Sequence, residues 1–210
     1  MQAISDTISS LHLGEAETFE GLTIIPLLGE AQSEPDYITL DEALEQEAVR
    51  VQEVSESGDV PNLLFDNQGD SKVLLVDGDE LVGAKQNRII NLTILVAAHS
   101  QVEIPVSCVE AGRWAYRSRE FESLKRSMYS RARAAKADHV TVRLRRSGER
   151  YANQAEVWDN VSECSMDLNV DSPTGSMGDI FDQYEKRLKG YREAFQTQVA
   201  QVGAVFAVDG

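Results

Sequence analysis

The sequence predicts an α+β fold, with a mainly antiparallel β core of sandwich-like or barrel-like form in the first half and packed helices in the second half. Apolar residues recur at strict period two over 86–97 and again over 102–110, which is typical of half-buried strands. Two amphipathic patterns, over 153–168 and 177–198, are typical of helices that bury one face. Short strands in succession with tight connections favour an antiparallel core.

The elements of the first half are short and bounded by turn residues. Residues 19–28 are apolar enough for a strand. Thr39 and Glu42 have the spacing of a capping box, which predicts a short helix over about 40–48. Further apolar runs predict strands at 49–54, 63–65, 73–76 and 81–84, with a hairpin turn at Asp77 and Gly78 between the last two.

The second half changes character after Trp114. Residues 118–137 are predicted to be partly helical, and the apolar alternation over 140–144 predicts an exposed strand. An apolar run at 202–208 predicts a final strand, followed by a turn signal at Asp209 and Gly210. Either this strand pairs within the main sheet and the chain stops, or the chain is the front part of a longer domain.

The length predicts a single domain over residues 1–210. A chain of 210 residues and 23.2 kDa can bury one core of ordinary size. We expect its β-rich core over 19–116 and a mixed helical segment, ending in a strand, over 117–210.

Charge is unevenly distributed along the chain. The formal net charge of −15 argues against general binding of nucleic acid. Residues 81–150 hold 14 of the 20 Lys and Arg and 6 of the 35 Asp and Glu, a balance of 14 − 6 = +8. This basic segment either attracts an anion such as a phosphate or docks on the acidic remainder and neutralises it.

Composition predicts a cytoplasmic protein that does not enter a membrane. No apolar run approaches the roughly 20 residues of a membrane span, and the N-terminus lacks the basic and apolar regions of a secretory signal. The two cysteines, Cys108 and Cys164, fit a reducing compartment. The three histidines and two cysteines are scattered, so we expect no metal site, and no particular cofactor is indicated.

Two polar clusters are the candidates for chemistry. The first is GAKQNR at 83–88, and the second is CVEAGRW at 108–114. If 86–97 and 102–110 form an antiparallel hairpin, their apolar faces match best when opposed residue numbers add up to 198. Arg88 then lies opposite Glu110, at one end of an otherwise apolar face.

This placement predicts a candidate site with the following roles. The ligand-binding residues are Lys85, Gln86, Asn87, Arg88, Arg113 and Trp114, and the catalytic residues are Glu110 and Cys108. Arg88 and Arg113 would hold a phosphate, while Glu110 would orient Arg88 or act as a general base. In the structural alternative, Arg88 and Glu110 only fix the strand register, and Cys108 is a small buried hydrophobe.

Asp77, Asp79 and Glu80 form an acidic tip at the predicted hairpin turn. Carboxylates so close together suit either a solvated turn or a divalent cation.

The same motifs carry a resemblance to a known family. The string VLLVDGDELVGAKQNRIINLTILV at 73–96, followed by IPVSCVEAGRW at 104–114, resembles the signature of the ARG and rhodanese-phosphatase-superfamily-associated protein domain, where ARG means ADP-ribosylglycohydrolase. The resemblance continues through QAEVW at 154–158 and SPTGSM at 172–177 to the chain end. It implies an association with NAD- and ADP-ribose-related enzymes and carries no catalytic residue over to this chain.

Two functions are therefore expected. The first is a ligand-handling domain that binds, or binds and hydrolyses, a nucleotide-type anion such as an ADP-ribose derivative. The alternative is a non-catalytic structural or protein-interaction module. A binding site requires a concave pocket beside the polar cluster, whereas an architectural network would be closed and fully hydrogen-bonded.

Overall fold

The computed structural model describes residues 2–30 and 35–209 of the chain. In chain order, its helices and strands are α1 (Gln2–Ser9), β1 (His12–Leu13), β2 (Glu17–Phe19), β3 (Leu22–Leu28), β4 (Tyr37–Thr39), α2 (Leu40–Glu45), β5 (Val49–Glu53), β6 (Asn62–Asn67), β7 (Lys72–Leu75), β8 (Asp79–Gly83), β9 (Arg88–Ile90), β10 (Ile94–Val96), β11 (Ser100–Cys108), β12 (Phe121–Ser127), α3 (Ser130–Ser147), α4 (Gln154–Asp167), α5 (Met177–Ala194) and β13 (Gln201–Val208). The predicted α+β class, with a mainly antiparallel β core followed by helices, is confirmed.

The described residues form two compact units. The larger unit covers 35–183, and the smaller one combines the N-terminal segment with the residues from 184 onward. The prediction of one domain over the whole chain stays a prediction. Within the described ranges, no helix is both long enough and apolar enough to cross a membrane.

The larger unit is built on a six-stranded sheet in the order β12-β8-β9-β11-β6-β5, in which all neighbours are antiparallel. A three-stranded sheet has the order β10-β7-β4, and its β4 and β7 are parallel. The apolar core lies on the faces of these strands and includes the fully buried Val51, Leu63, Phe65, Leu81 and Ile104. Each such side chain contributes about 1.5–3 kcal/mol by leaving water.

The predicted capping box is present at the start of α2. The Thr39 hydroxyl accepts a hydrogen bond from the Glu42 backbone N–H at 3.3 Å, and the Glu42 carboxylate accepts one from the Thr39 backbone N–H at 2.7 Å. The bond from the Thr39 backbone N–H, and a second one from the Thr39 hydroxyl, hold the pKa of the Glu42 carboxylate below its ordinary value. They fix the position at which the chain leaves β4 and enters the helix.

The predicted hairpin of 86–97 with 102–110 is only partly right. Arg88–Ile90 does pair antiparallel with the end of β11, but opposed residue numbers add up to 196, so Arg88 lies opposite Cys108 instead of Glu110. Beyond residue 90 the chain leaves this ladder, and β10 pairs with β7. At this point the carbonyls of Ile90 and Asn91 accept from the buried Lys136 ammonium, and the Ile90 carbonyl also accepts from the Gly78 backbone N–H.

The turn at Asp77 and Gly78 also differs from its prediction. Gly78 has a φ of +90° and the chain does reverse there, but β7 pairs with β4 and β10 while β8 pairs with β9 and β12. The prediction of a hairpin is wrong because the two flanking strands belong to different sheets. The acidic residues beside the turn are separated as well: Asp77 pairs with Lys136, and Glu80 is buried.

The exposed strand predicted over 140–144 is wrong, because these residues belong to α3. This helix buries Ala132, Lys136 and Val140, which recur every four residues and so define a helical face. Val142 and Leu144 stay exposed, so their alternation reflects no sheet. The stretch 118–137, predicted to be partly helical, contains β12 and then the first residues of α3, so the helical prediction is right for 130–137.

The predicted helices over 153–168 and 177–198 are confirmed as α4 and α5, the latter ending four residues early. In α4, Val157 and Val161 are buried one turn apart. The helix is attached to β11 by two bonds: the Gln154 amide accepts from the Cys108 backbone N–H and donates to the Cys108 carbonyl, each at 2.8 Å.

The smaller unit contains the predicted final strand. β13 pairs antiparallel with β3, which also pairs with β1 and β2. The strand is thus confirmed, but it joins this four-stranded sheet and not the six-stranded one. Its Val205 and Phe206 lie opposite Ile25 and Ile24 of β3. The predicted turn at the chain end lies partly outside the described residues, which stop at Asp209.

We expect Gly83→Ala to destabilise the protein more than Gly148→Ala does. Both glycines have positive φ, +134° and +76°, which costs an alanine about 1–2 kcal/mol in the left-handed region. A Cβ at Gly83 would also lie 2.6 Å from the Ser118 Oγ and 2.7 Å from the Glu120 carbonyl oxygen, whereas one at Gly148 would meet nothing within 4 Å. Urea denaturation should give a difference of at least about 1 kcal/mol. Equal losses would contradict the close packing of the 118–120 backbone on Gly83.

Candidate functional site

A buried carboxylate, that of Glu110, organises the predicted polar cluster. Its Oε2 accepts hydrogen bonds from the Arg113 Nε at 2.8 Å and from the Asn87 backbone N–H at 3.2 Å, and its Oε1 accepts one from the Thr174 hydroxyl at 3.0 Å. The Arg113 Nη2 lies 2.6 Å from Oε2. Burial opposes ionisation of Glu110, but these donors outweigh it and hold its pKa below the ordinary value.

All three nitrogens of the Arg113 guanidinium donate hydrogen bonds to other groups of the protein. Besides Glu110, it donates to the carbonyls of Gly83, Ala84 and Ala115 and to the side-chain oxygen of Asn87. A guanidinium has five N–H donors, so little capacity is left for a ligand. Arg113 therefore ties the loop after β8 to the chain that follows β11.

Gln86 and Lys85 add further connections around this pair. The Gln86 Nε2 donates to the Glu110 carbonyl at 2.8 Å, and its Oε1 accepts from the Arg88 Nη1 at 3.0 Å. The Lys85 ammonium donates to the carbonyl of Glu56 at 2.8 Å and lies 5.3 Å from the centre of the Trp114 ring. All of these polar groups belong to one continuous cluster.

Arg88 is the member of the cluster with unused donors. Its side chain is fully buried, and its Nε and Nη2 have no hydrogen-bond partner among the described residues. The nearest anion is Glu53, whose Oε1 lies 3.8 Å from Nη2, too far for a hydrogen bond. Both Glu53 carboxylate oxygens are equally unpartnered within the described chain, although the side chain is only 4% exposed.

The predicted contact between Arg88 and Glu110 is thus wrong. The strand register places Cys108 opposite Arg88, and Arg113, three residues after Glu110, takes up the carboxylate instead. Arg88 faces Glu53, a residue at the end of β5.

A cavity of about 680 Å³ adjoins the cluster. It is lined by residues from the end of β5 and from the loop before β12: Gln52, Glu53, Ser55, Glu56, Tyr116, Arg117, Ser118 and Arg119. Several of these contact the cluster. The Glu56 carbonyl accepts from the Lys85 ammonium, the Ser118 Oγ accepts from the Ala84 backbone N–H, and the Tyr116 ring lies 5.0 Å from the Lys85 Nζ. Glu53 faces Arg88, and the Arg117 Nη2 lies 3.5 Å from the Glu110 Oε1.

Cations and an aromatic ring are accessible at this cavity. The Arg117 side chain is 57% exposed, Arg119 is exposed, and Tyr116 is 52% exposed. Two guanidinium groups near a ring can hold an anionic group beside a planar one. The predicted site residues 85–88, 108, 110, 113 and 114 are not among the lining residues, so the cluster supports the cavity from outside its lining.

The sequence offered a partial signal for the residues that were missed. Arg117 and Arg119 follow the recognised CVEAGRW motif directly, in the string AYRSRE at 115–120. Glu53 ends an ordinary apolar strand, and nothing in its neighbourhood sets it apart from the other acidic residues of the chain.

The Cys108 side chain is fully buried, opposite Arg88 on the neighbouring strand. Burial raises the pKa of its thiol, with the Arg88 charge opposing this effect. Because the thiolate is the nucleophilic form, these properties suit a packed side chain better than a nucleophile. No group of three or more His, Cys, Asp or Glu side chains in the described parts of the chain is arranged to hold a metal ion.

Glu80 is a second buried carboxyl group, on β8. Neither of its oxygens has a hydrogen-bond partner in the described part of the chain. Burial raises its pKa to about 7, and the charge of Arg126 limits the rise. We therefore expect the Glu80 carboxyl group to change its protonation state near neutral pH.

We expect Glu110→Ala to destabilise the protein by about 3–5 kcal/mol, because it leaves the Arg113 charge buried without its partner. The matched control is Arg117→Ala, which removes an exposed partner of the same carboxylate and should cost less than about 1 kcal/mol. Chemical denaturation measures both. Similar losses for the two variants would show that the Glu110–Arg113 pair has no special role.

We expect Glu80→Gln to stabilise the protein at pH 8 relative to the wild type. The raised pKa means that the folded state binds the proton more tightly than the unfolded state. Stability therefore falls as the pH rises from the ordinary value of 4.5 to about 7 and stays reduced above it. The amide removes this cost, which is at most about 3.4 kcal/mol, the 7 − 4.5 = 2.5 pKa steps at about 1.36 kcal/mol each. The melting temperatures of the wild type and the Glu80→Gln variant should differ at pH 8 and converge towards pH 5. A difference that does not change with pH would contradict a raised pKa of the buried Glu80 carboxyl group.

Comparisons with known proteins identify the family to which the chain belongs. The family model described as the ARG and Rhodanese-Phosphatase-superfamily-associated Protein domain (ARPP-1) matches residues 10–210. No match was found among curated proteins or among solved structures. With nearly its whole length matched, the chain belongs to the ARG and Rhodanese-Phosphatase-superfamily-associated Protein domain family.

Proposed function

We propose that this domain binds a nucleotide-type anion, such as an ADP-ribose derivative, in the cavity between the end of β5 and the 116–119 loop. The observation that carries the proposal is the pair of exposed guanidinium groups, Arg117 and Arg119, in a concave space of about 680 Å³. That volume lies within the roughly 300–1,000 Å³ typical of small-molecule sites.

The ligand class follows from the chemistry of the lining. Arginine pairs hold phosphates through parallel hydrogen bonds, and the exposed Tyr116 ring offers a surface on which a base can stack. The protein as a whole carries a charge of −15, which repels anions, and the lining also holds Glu53 and Glu56. A phosphate would therefore have to bind directly at the exposed guanidinium groups of Arg117 and Arg119. The ADP-ribosylglycohydrolase association in the family name makes ADP-ribose the first ligand to test.

The geometry favours binding over hydrolysis at the predicted catalytic residues. Glu110 and Cys108 are fully buried and are not among the residues that line the cavity. The oxygens of Glu110 already accept hydrogen bonds from Arg113, Asn87 and Thr174, so this carboxylate is poorly placed to take a proton from water.

The alternative is a non-catalytic structural or interaction module. One observation favours it: the network around Arg113 is closed and hydrogen-bonded within the protein. Arg88 and Glu53 do not share this closure, since both keep unpartnered polar atoms in the described part of the chain.

We expect ADP-ribose to raise the melting temperature, by about 5–10 °C at a hundredfold excess over its Kd. The double variant Arg117→Ala/Arg119→Ala should lose most of this shift, because it removes the two exposed cations of the cavity. The matched control is Arg145→Ala/Arg146→Ala, which makes the same charge change on the exposed end of α3. Thermal-shift measurements with ADP-ribose, NAD and inorganic pyrophosphate provide the readout.

Two results would contradict the proposal. If none of the three compounds shifts the melting temperature, the interaction-module alternative gains support. If both double variants lose the shift equally, binding depends on overall charge and not on the cavity.

A further inference from the structure

The pair formed by Glu53 and Arg88 is unusual because each side chain is buried and neither completes its hydrogen bonds. Arg88 is fully buried with two unpartnered nitrogens, and the Glu53 side chain is 4% exposed with two unpartnered oxygens. Burying a charged group without its hydrogen-bond partners is unfavourable. Four such atoms within one contact therefore point to a group that is supplied from outside the chain.

The chemistry of the two side chains restricts what that group can be. Arg88 offers only donors, and the carboxylate of Glu53 offers only acceptors. A phosphate would meet repulsion from Glu53, and an ammonium group would meet repulsion from Arg88. A hydroxyl group both donates and accepts, so it can satisfy the two together, and adjacent hydroxyls can bind both oxygens of the carboxylate.

The pair lies beside the proposed anion site. Glu53 is one of the residues that line the cavity, together with Arg117 and Arg119. A ligand held at its phosphate by the arginines therefore passes beside Glu53. The Arg88 guanidinium lies 5.6 Å from the centre of the Trp114 ring, and a Cβ on the neighbouring Gly58 would lie 3.3 Å from the same ring and 3.5 Å from the Glu53 Oε2. The fluorescence emission of Trp114 should therefore change when Glu53 or Arg88 moves.

We propose that Glu53 and Arg88 form the sugar-reading end of the cavity and make it selective for phosphorylated ligands that carry a vicinal diol, as the ribose of a nucleotide does. The inference rests on the proposed anion site. Because the carboxylate oxygens of Glu53 are enclosed, the hydroxyls can reach them only if the Glu53 side chain turns towards the cavity. Arg88 lies outside the cavity lining, so the sugar would reach it only after that movement. Glu53 and Arg88 would then orient the sugar, and the two exposed arginines would bind the phosphate.

The test compares ADP with 2′-deoxy-ADP, which lacks one hydroxyl of the diol, by titration calorimetry on the full chain. We expect ADP to bind about 10- to 100-fold more tightly, the factor for a lost hydrogen bond to a charged group. Glu53→Gln should reduce the affinity for ADP to about that for 2′-deoxy-ADP and leave inorganic pyrophosphate unaffected. The matched control is Glu56→Gln, on a residue that lines the same cavity but bonds to Lys85 only through its backbone carbonyl, and it should change nothing.

A second readout needs no change at Glu53. Trp158→Phe leaves Trp114 as the one tryptophan of the chain, and ADP should change its emission more than 2′-deoxy-ADP does. Equal affinities for the two nucleotides would overturn the diol inference and leave the anion site standing, as would an unchanged ADP affinity in Glu53→Gln. A higher ADP affinity in Glu53→Gln would show that the carboxylate repels the ligand. Failure of ADP, 2′-deoxy-ADP and pyrophosphate alike would instead count against the proposed function.

Discussion

The ion pair between Glu110 and Arg113 is the interaction on which the larger unit depends most. Taking these two charges out of water is unfavourable, and their attraction compensates only when the remaining hydrogen-bonding atoms are also satisfied. The structure meets that condition with the Asn87 backbone N–H, the Thr174 hydroxyl and the carbonyls of the loop after β8. Three distant parts of the chain are thereby held at a single carboxylate.

This pair also sets the position of the cavity wall. Arg113 donates to the Ala84 carbonyl, and the chain that follows it continues along the same loop: the Ala115 and Arg117 backbone N–H groups donate to the carbonyls of Lys85 and Ala84. Arg117 and Arg119 are consequently presented at the cavity from a fixed backbone. The residues with satisfied hydrogen bonds act as the support, and those with unsatisfied ones, Glu53 and Arg88, lie where a ligand is expected.

Local sequence patterns predicted well those features that depend on neighbouring residues. The capping box of Thr39 and Glu42, the helices α4 and α5 and the final strand all follow from periodicity or short-range spacing. The strand register and the identity of the Glu110 partner depend on contacts across the fold, such as Lys136 with the Ile90 carbonyl, and no local pattern contains them. Glu53 was missed for the same reason, since its importance arises only from Arg88, 35 positions further along the chain.

We propose that a self-satisfied ion pair supports a cavity whose unsatisfied groups bind a phosphorylated sugar. A crystal structure of the chain with ADP-ribose tests it most directly. We expect phosphate oxygens within about 3 Å of the guanidinium groups of Arg117 or Arg119, and a ribose in contact with Glu53. The hydrogen bond between Glu110 and Arg113 should be unchanged. Ligand bound elsewhere on the protein, or a Glu110 carboxylate that has left Arg113 to meet the ligand, would contradict it.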